Sequence, residues 1–429
     1  MLCPLAISVL LASCSSAPSD AVDSKDVKAT LTLAIWDNLL NELYPQLDLQ
    51  KRFQQIYPNV NIEIEKIMND PEYWDAMRIR ASANELPDLM FNKTFTLAQF
   101  QKYLLDLSGT TAARENNLAL SYAVDGKILG IPQTMTTEYV YYWDDMFKEA
   151  GVEVPTVWAG FVAAAEKLQA HFIKDTPEFM AIALGGKDEW PTYPFMEFMP
   201  SLQNGDGFNW DSMAKMDEPF TRGTNMNVTY QKINGLFSKP VFGRNPNGMG
   251  HNQAVALFAN KKAAIIVSGS WCLDSIQQAA IDISALKTFY LPVRDGDAEP
   301  FRVTKQGDSF LGVTTHSQHP DIALDFIEFY FSGAWYPDYI NAIPDEGTMD
   351  AYQKQKSPIL RIADDAHPYE KEWVMYYGGG FDFQALVNET KFDYKKLGSE
   401  MLVPGFDLQE RFDKLDAAWK TARRKLQIR

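Results

Sequence analysis

The alternation of apolar and polar positions divides the chain into recurring strand–helix units. From Thr30 to Trp36, Leu31, Leu33 and Ile35 alternate with Thr32, Ala34 and Trp36, which predicts a strand. Leu49, Phe53 and Ile56 then recur at helical spacing, and Tyr57-Pro58-Asn59 ends that helix. Val60 to Ile67 alternates again, with Val60, Ile62 and Ile64 against Asn61, Glu63 and Glu65. Strand, helix and strand in succession make a βαβ unit and imply a parallel sheet. Pro71 opens a helix to about Asn84, and Leu86 to Phe91 returns a short strand. The β-branched and aromatic run Thr137 to Trp143 predicts another strand, and Asp144 to Ala150 a helical turn stopped by Gly151. Pro155-Thr156 is expected to cap a helix carrying Trp158, Phe161, Val162, Ala165, Leu168 and Phe172 on one side. Trp190 to Trp210 holds three prolines and Asn204-Gly205-Asp206-Gly207, so it reads as loop. A short helix from Gln253 to Asn260 leads into Ala263 to Val267, an apolar run that predicts a strand covered on both faces. Gly269-Ser270-Trp271 turns the chain. Thr288 to Pro292 and Ser309 to Thr315 are further strands, and Pro320 to Ser332 is an amphipathic helix. The remainder reads as mainly helical, with an aromatic loop from Trp373 to Phe383. The fold class is α/β.

Size and charge narrow the function classes. With 429 residues the chain is long enough for two or three domains. Forty basic against 56 acidic residues give a net charge of −16, which disfavours a phosphate-binding or polybasic membrane surface. Met1 to Ser13 is uncharged and mostly apolar, with the length of a signal-peptide apolar segment, so 1–13 are assigned to a signal peptide. Leu11-Ala12-Ser13-Cys14 resembles the bacterial lipobox, which implies lipidation at Cys14. The Ser/Ala/Asp-rich stretch within 14–29 reads as a flexible tether. Loss of the signal segment would leave Cys272 as the one unmodified cysteine, with no disulfide and no cysteine-based metal site. Its neighbours Ser270, Trp271 and Leu273 suggest a half-buried packing thiol.

Several segments occur in the order seen in a known family. Phe53-Gln54-Gln55-Ile56-Tyr57-Pro58-Asn59-Val60, Leu86-Pro87-Asp88-Leu89 and Asp125-Gly126-Lys127-Ile128-Leu129-Gly130-Ile131-Pro132 are the first three. Tyr142 to Gly151 follows, with Trp143 where an Asn is usual, and then Pro155-Thr156-Val157-Trp158. Phe258 to Ala264, Gly269-Ser270-Trp271 and Pro320 to Ile327 complete the series. Together they resemble the bacterial extracellular solute-binding proteins, family 1, receptors of ABC importers similar to maltose-binding protein. The resemblance implies a two-lobed periplasmic-binding-protein type II-like fold with a hinge and a ligand cleft between discontinuous lobes. Lobe 1 is expected from 25–138 plus 303–344, and lobe 2 from 139–302 plus 345–429. It further implies a monomeric, extracytoplasmic, lipid-anchored receptor that captures a sugar or oligosaccharide and delivers it to permease subunits, with no enzymatic activity, cofactor or nucleic-acid partner.

Sugars present hydroxyls and C–H patches, so aromatic, acidic and amide side chains at strand ends are the candidate contacts. Trp36 and Asp37 end the first strand, and Asn92 follows the Pro-Asp strand. Thr137 and Glu138 begin the first crossing, and Asp308 marks the second. Trp271 aligns with a sugar-stacking tryptophan of the maltose-binding relative. Trp190, Trp210, Trp373 and Tyr377 are placed in lobe-2 loops. Other readings stay open: a polyamine or other cation on an aromatic and acidic cage, a glycerol phosphate, a secreted carbohydrate-active enzyme, or an adhesin. No H-E-x-x-H, G-x-S-x-G, P-loop or G-x-G-x-x-G occurs. His316 and His319 are the one close histidine pair, and they sit before a helix start, so no metal site is assigned.

Overall fold

The computed structural model describes residues 24–36, 38–67 and 70–428. The signal segment, Cys14, most of the tether and Asp37 lie outside the described residues. Among the described residues ten strands form the sheet framework: β1 (Ala29–Ile35), β2 (Val60–Lys66), β3 (Leu89–Asn92), β4 (Ile131–Trp143), β5 (Met180–Ala183), β6 (Ala263–Gly269), β7 (Leu286–Phe289), β8 (Phe301–Val313), β9 (Glu346–Gly347) and β10 (Lys371–Met375). The main path runs β2-β1-β3-β8-β4-β6-β5, with β10 beside β8 and both β7 and β9 beside β4. The first unit is parallel, Ala29 to Ile35 running in register with Val60 to Lys66, as the alternating pattern predicts.

Two strands of 13 residues organise everything else. The first half of β4 pairs antiparallel with the second half of β8, from Ile131 opposite Leu311 to Thr137 opposite Lys305. Beyond that point the two diverge. From Glu138 onward β4 takes β6 and then β7 as neighbours, while Phe301 to Lys305 of β8 takes β10. The two-residue β9 adds a third chain to this middle ribbon, at Thr134 and Met135.

The ribbon separates two apolar cores. One contains Leu31, Phe53, Tyr73, Phe91, Ile131, Phe310, Phe326 and Trp335. The other contains Tyr141, Trp143, Phe161, Trp210, Ile265, Phe289, Phe301 and Trp419. Met349 and partly buried Tyr352 still belong to the first core, whereas Leu360 belongs to the second. The ribbon itself is buried but polar, with Gln133, Thr134, Thr136, Thr137 and Glu138 on β4 and Asp308 on β8. This accounts for the strand lengths missed in the sequence. A strand whose middle faces polar groups has no apolar alternation there, so only its ends read as strand.

Other expectations are corrected. Trp190 to Trp210 is a series of short helical turns, Trp190–Thr192, Pro194–Phe198 and Met199–Asn204, with prolines in their first positions where no donor is lost. Trp210 is not a loop residue facing a ligand. It is fully buried and stacks on Tyr394 at 5.0 Å. Lys371 to Met375 is a strand rather than loop, and the helix Trp158–Phe172 starts after Val157, its first N–H donating to the Arg294 carbonyl instead of Thr156 capping it. Cys272 is wholly buried, and burial pushes its thiol up to about 12, so it packs and does not react.

The C-terminal helix Leu408–Leu426 closes the second core with Phe412, Leu415 and Trp419. Asp407 caps it by accepting from the Glu410 N–H at 2.9 Å. Asp407→Ala is expected to lower unfolding free energy by about 1 kcal/mol, read as a lower urea midpoint with unchanged slope.

Candidate functional site

The point where β4 changes partner carries the site's first cluster. Glu138, opposite Gly269 of β6, is nearly fully buried. The Tyr193 hydroxyl donates to its Oε2 at 2.7 Å and accepts from the Gly269 N–H at 2.8 Å. Burial pushes the Glu138 carboxyl up to about 8, against the Tyr193 bond that favours ionisation; Asp308, Glu197 and Asp345 push it the same way as burial. Asp345, on the third segment between the cores, accepts from the Ser270 hydroxyl, and burial raises its carboxyl to about 7. Ser270 also accepts from the Thr137 N–H at 3.4 Å. The hydroxyls of Thr136 and Thr137 are buried with no partner among the described residues.

The first-core side presents a charged pair on an aromatic wall. The Trp36 ring lies 5.1 Å from Tyr73 and 5.3 Å from both Trp74 and Phe91. The Lys93 ammonium sits 5.0 Å from its centroid and binds both Asp308 oxygens, at 2.8 and 2.9 Å. Lys93 directly follows β3, so the strand-end logic that selected Asn92 reaches it one residue later. Asn92 is itself fully buried. Its amide donates to the Met90 carbonyl, and its Oδ1 accepts from Thr96, which braces the turn that delivers Lys93.

The second-core side is an aromatic cup at the carboxyl ends of β5 and β6. Trp190 and Trp271 have centroids 5.9 Å apart, and the His251 ring lies 4.4 Å from the first and 5.5 Å from the second. Tyr193 joins at 6.2 Å from Trp190. Two glycines permit this crowding. A Cβ on Gly269 would stand 2.4 Å from the Trp271 indole nitrogen, and one on Gly185 would stand 2.5 Å from the His251 backbone nitrogen. Burial lowers His251 to about 4, against the opposite pull of Asp188, so its imidazole is neutral at pH 7.

Thus Thr137, Glu138, Trp190 and Trp271 come together, and Trp36 and Asp308 meet through Lys93. Two candidates stand apart from these groups. Trp373, on β10, is 42% exposed and lies under the Lys305 ammonium at 4.5 Å, edge-on to Tyr290. Tyr377 stacks on Phe208 at 4.2 Å and meets Tyr122 at 5.3 Å. Tyr122 ties that segment down by donating to the Tyr376 carbonyl. Sequence reasoning missed Tyr193, His251, Ser270, Lys93 and Asp345. Among the described residues no group of three or more His, Cys, Asp or Glu is arranged to hold a metal, and no helix is long and apolar enough to cross a membrane. His316 Nδ1 accepts from the Leu86 N–H at 3.3 Å.

Known proteins share this architecture. The multiple sugar-binding protein of Streptococcus mutans serotype c is 25% identical over 371 residues, 83% of this chain and 84% of that protein. The mannobiose complex of BlMnBP1, an ABC-transporter binding protein from Bifidobacterium animalis subsp. lactis, superposes with a TM-score of 0.76 at 16% identity, covering 94% of this chain and 96% of that one. RafE of Streptococcus pneumoniae, in its raffinose complex, gives 0.74 at 16% identity over 92% and 99% of the two chains. At such identities these likenesses establish the fold, the two-lobed type II arrangement of periplasmic binding proteins. The sequence profile of the family described as bacterial extracellular solute-binding protein matches residues 38–335, well over half the chain, and the chain belongs to that family of extracytoplasmic solute receptors.

Proposed function

We propose that the protein captures a neutral sugar or short oligosaccharide between two lobes and presents it to the membrane subunits of an ABC importer. The observation that carries this reading is the Trp190–His251–Trp271 cup joined through Tyr193 to Glu138 on a crossing strand. Tilted indole faces suit the C–H patches of pyranose rings, and buried hydroxyls and carboxyls suit their OH groups. The named ligands of the relatives, mannobiose and raffinose, point the same way.

The lobes of this reading are 25–138 with 303 to about 352, and 139–302 with the remainder. The first lobe extends past residue 344 because Met349 and Tyr352 pack in the first core. The ribbon of β4, β8 and β9 is the hinge. Ligand contacts from both sides of it supply the differential affinity that closure requires. Lipid anchorage through Cys14 rests on Leu11-Ala12-Ser13-Cys14. A polyamine fits less well. Lys93 already occupies both the Trp36 face and Asp308, and Glu138 holds its proton at pH 7.

A thermal-shift panel of mono- and oligosaccharides, polyols, polyamines and organophosphates tests the reading. A solute at 100 times its dissociation constant stabilises by about 2.7 kcal/mol, a rise of about 3 °C for a chain this long. Such a rise with a neutral saccharide series is the expected result. A rise confined to spermidine-like cations or to phosphates would overturn the sugar and keep the receptor.

A further inference from the structure

His251 is an unusual member of the aromatic cup. It opens the helix His251–Ala259, and its backbone N–H donates to Asp188 Oδ2 at 2.7 Å. Gly185 ends the segment after β5 and touches the backbone of residues 250 and 251 so closely that any Cβ would clash. The backbone that carries the imidazole is therefore fixed by Gly185 on one side and the Asp188 carboxylate on the other, and the ring packs against both indoles, 4.4 and 5.5 Å away. No described residue makes a hydrogen bond to either ring nitrogen. A ring whose role was packing alone would be served as well by Phe at this position. A neutral imidazole has one donor and one acceptor nitrogen, and a sugar hydroxyl can answer either.

We infer that His251 is a specificity-determining residue of the cleft: it hydrogen-bonds a hydroxyl at the edge of the sugar ring seated on Trp190 and Trp271. This rests on the saccharide reading above. The indoles accept any pyranose with a suitable C–H face, because stacking is tolerant of hydroxyl configuration. The imidazole adds a directional contact at the edge of that ring, and so separates epimers or deoxy sugars that the indoles treat alike. A pocket group aimed at a hydroxyl rejects an analogue lacking it, since its own polar atoms are then left unpaired.

The test is isothermal titration at pH 7 with raffinose, stachyose, mannobiose, mannotriose, chitotriose and maltotriose against the wild-type protein, His251→Phe and His251→Gln. Phe keeps the ring and removes the hydrogen bond; Gln keeps a donor and an acceptor and removes the ring. For whichever of these sugars the wild type binds, His251→Phe is expected to weaken binding about 5- to 15-fold. His251→Gln should recover most of that loss, and the melting temperature without sugar should be the same for all three proteins. Equal affinity of the wild type and His251→Phe would overturn the inference while leaving the receptor reading intact. Parallel loss in both variants with lowered melting temperatures would assign His251 a structural role and overturn it as well. Failure of the wild type to bind any of the six sugars, together with a thermal shift confined to spermidine-like cations or phosphates, would remove the saccharide reading and this inference with it.

Discussion

Trp271→Ala should weaken saccharide binding by about 70-fold and leave the fold intact. The indole is half-buried and packs mainly on Trp190, His251 and Gly269, outside the closed centre of the second core. Stacking a pyranose on it hides on the order of 100 Å² of apolar surface, worth about 2.5 kcal/mol at 25 cal/mol/Å². Loss of that contact converts to roughly two decades less a fraction at room temperature. The melting temperature without sugar should fall by no more than a degree or two, because few wholly buried contacts are lost. Titration with the best saccharide of the panel provides the check. Unchanged affinity would move the stacking surface away from β6, towards Trp373 or the Phe208–Tyr377 pair.

A second large effect concerns acidity. Glu138 titrates near 8 and Asp345 near 7 in the folded protein, both far above their values in an unfolded chain. Between about pH 4 and pH 8 the folded state therefore holds protons that the unfolded state has released. These two groups make stability fall as pH rises through that window; His251 and His367, both lowered to about 4 by burial, pull the other way below about pH 6.5, so the fall is clearest above it. The full contribution is present below the unfolded values and is gone above the folded ones. Each group adds a slope approaching 1.4 kcal/mol per pH unit, or about 1.5 °C per unit in a chain of this size. Glu138→Gln keeps an acceptor for the Tyr193 hydroxyl and carries no proton to lose. Its melting curve should be flatter than that of the wild type from pH 6 to 8, and its advantage greatest at pH 8 to 9. Scanning calorimetry in a buffer series measures this directly. An identical slope in the variant would mean that Glu138 is already ionised at neutral pH. Asp345→Asn gives the corresponding comparison for the lower-titrating group.

The contrast between what the chain announced and what it hid has a physical basis. β2 and the helices at 158–172 and 320–330 each turn one face to a single core, so their periodicity survives in the sequence, whereas the helix at 70–83 is marked by Pro71 at its start. β4 and β8 serve two cores and a polar seam between them. Thr134, Thr136 and Thr137 on one strand and Gly307 and Asp308 on the other interrupt any apolar rhythm. β10 is short and carries Lys371, Glu372 and an exposed Trp373, which is why it reads as loop. The site follows the same rule. Trp190 and Trp271 are conspicuous because large aromatics beside glycine and proline are conspicuous. His251 and Tyr193 become part of the same cup only when residues 185–193, 250–251 and 269–271 converge, and no local spacing encodes that meeting.

The shared ribbon also sets a timetable for the newborn chain. The second core draws on a long unbroken stretch from Tyr139 to Val303, so much of it can begin to assemble as it emerges. The first core cannot. Its third strand, β3, finds its outer neighbour in Phe310 to Val313, about 220 residues later, and its remaining wall in Phe326, Tyr330 and Trp335. Until that late segment arrives, Leu31, Phe53, Tyr73 and Phe91 belong to an open half-sheet with an uncovered edge, the kind of surface that sticks to its own kind. The N-terminal third is thus the part of the protein that most needs company, or isolation, before the last third is made.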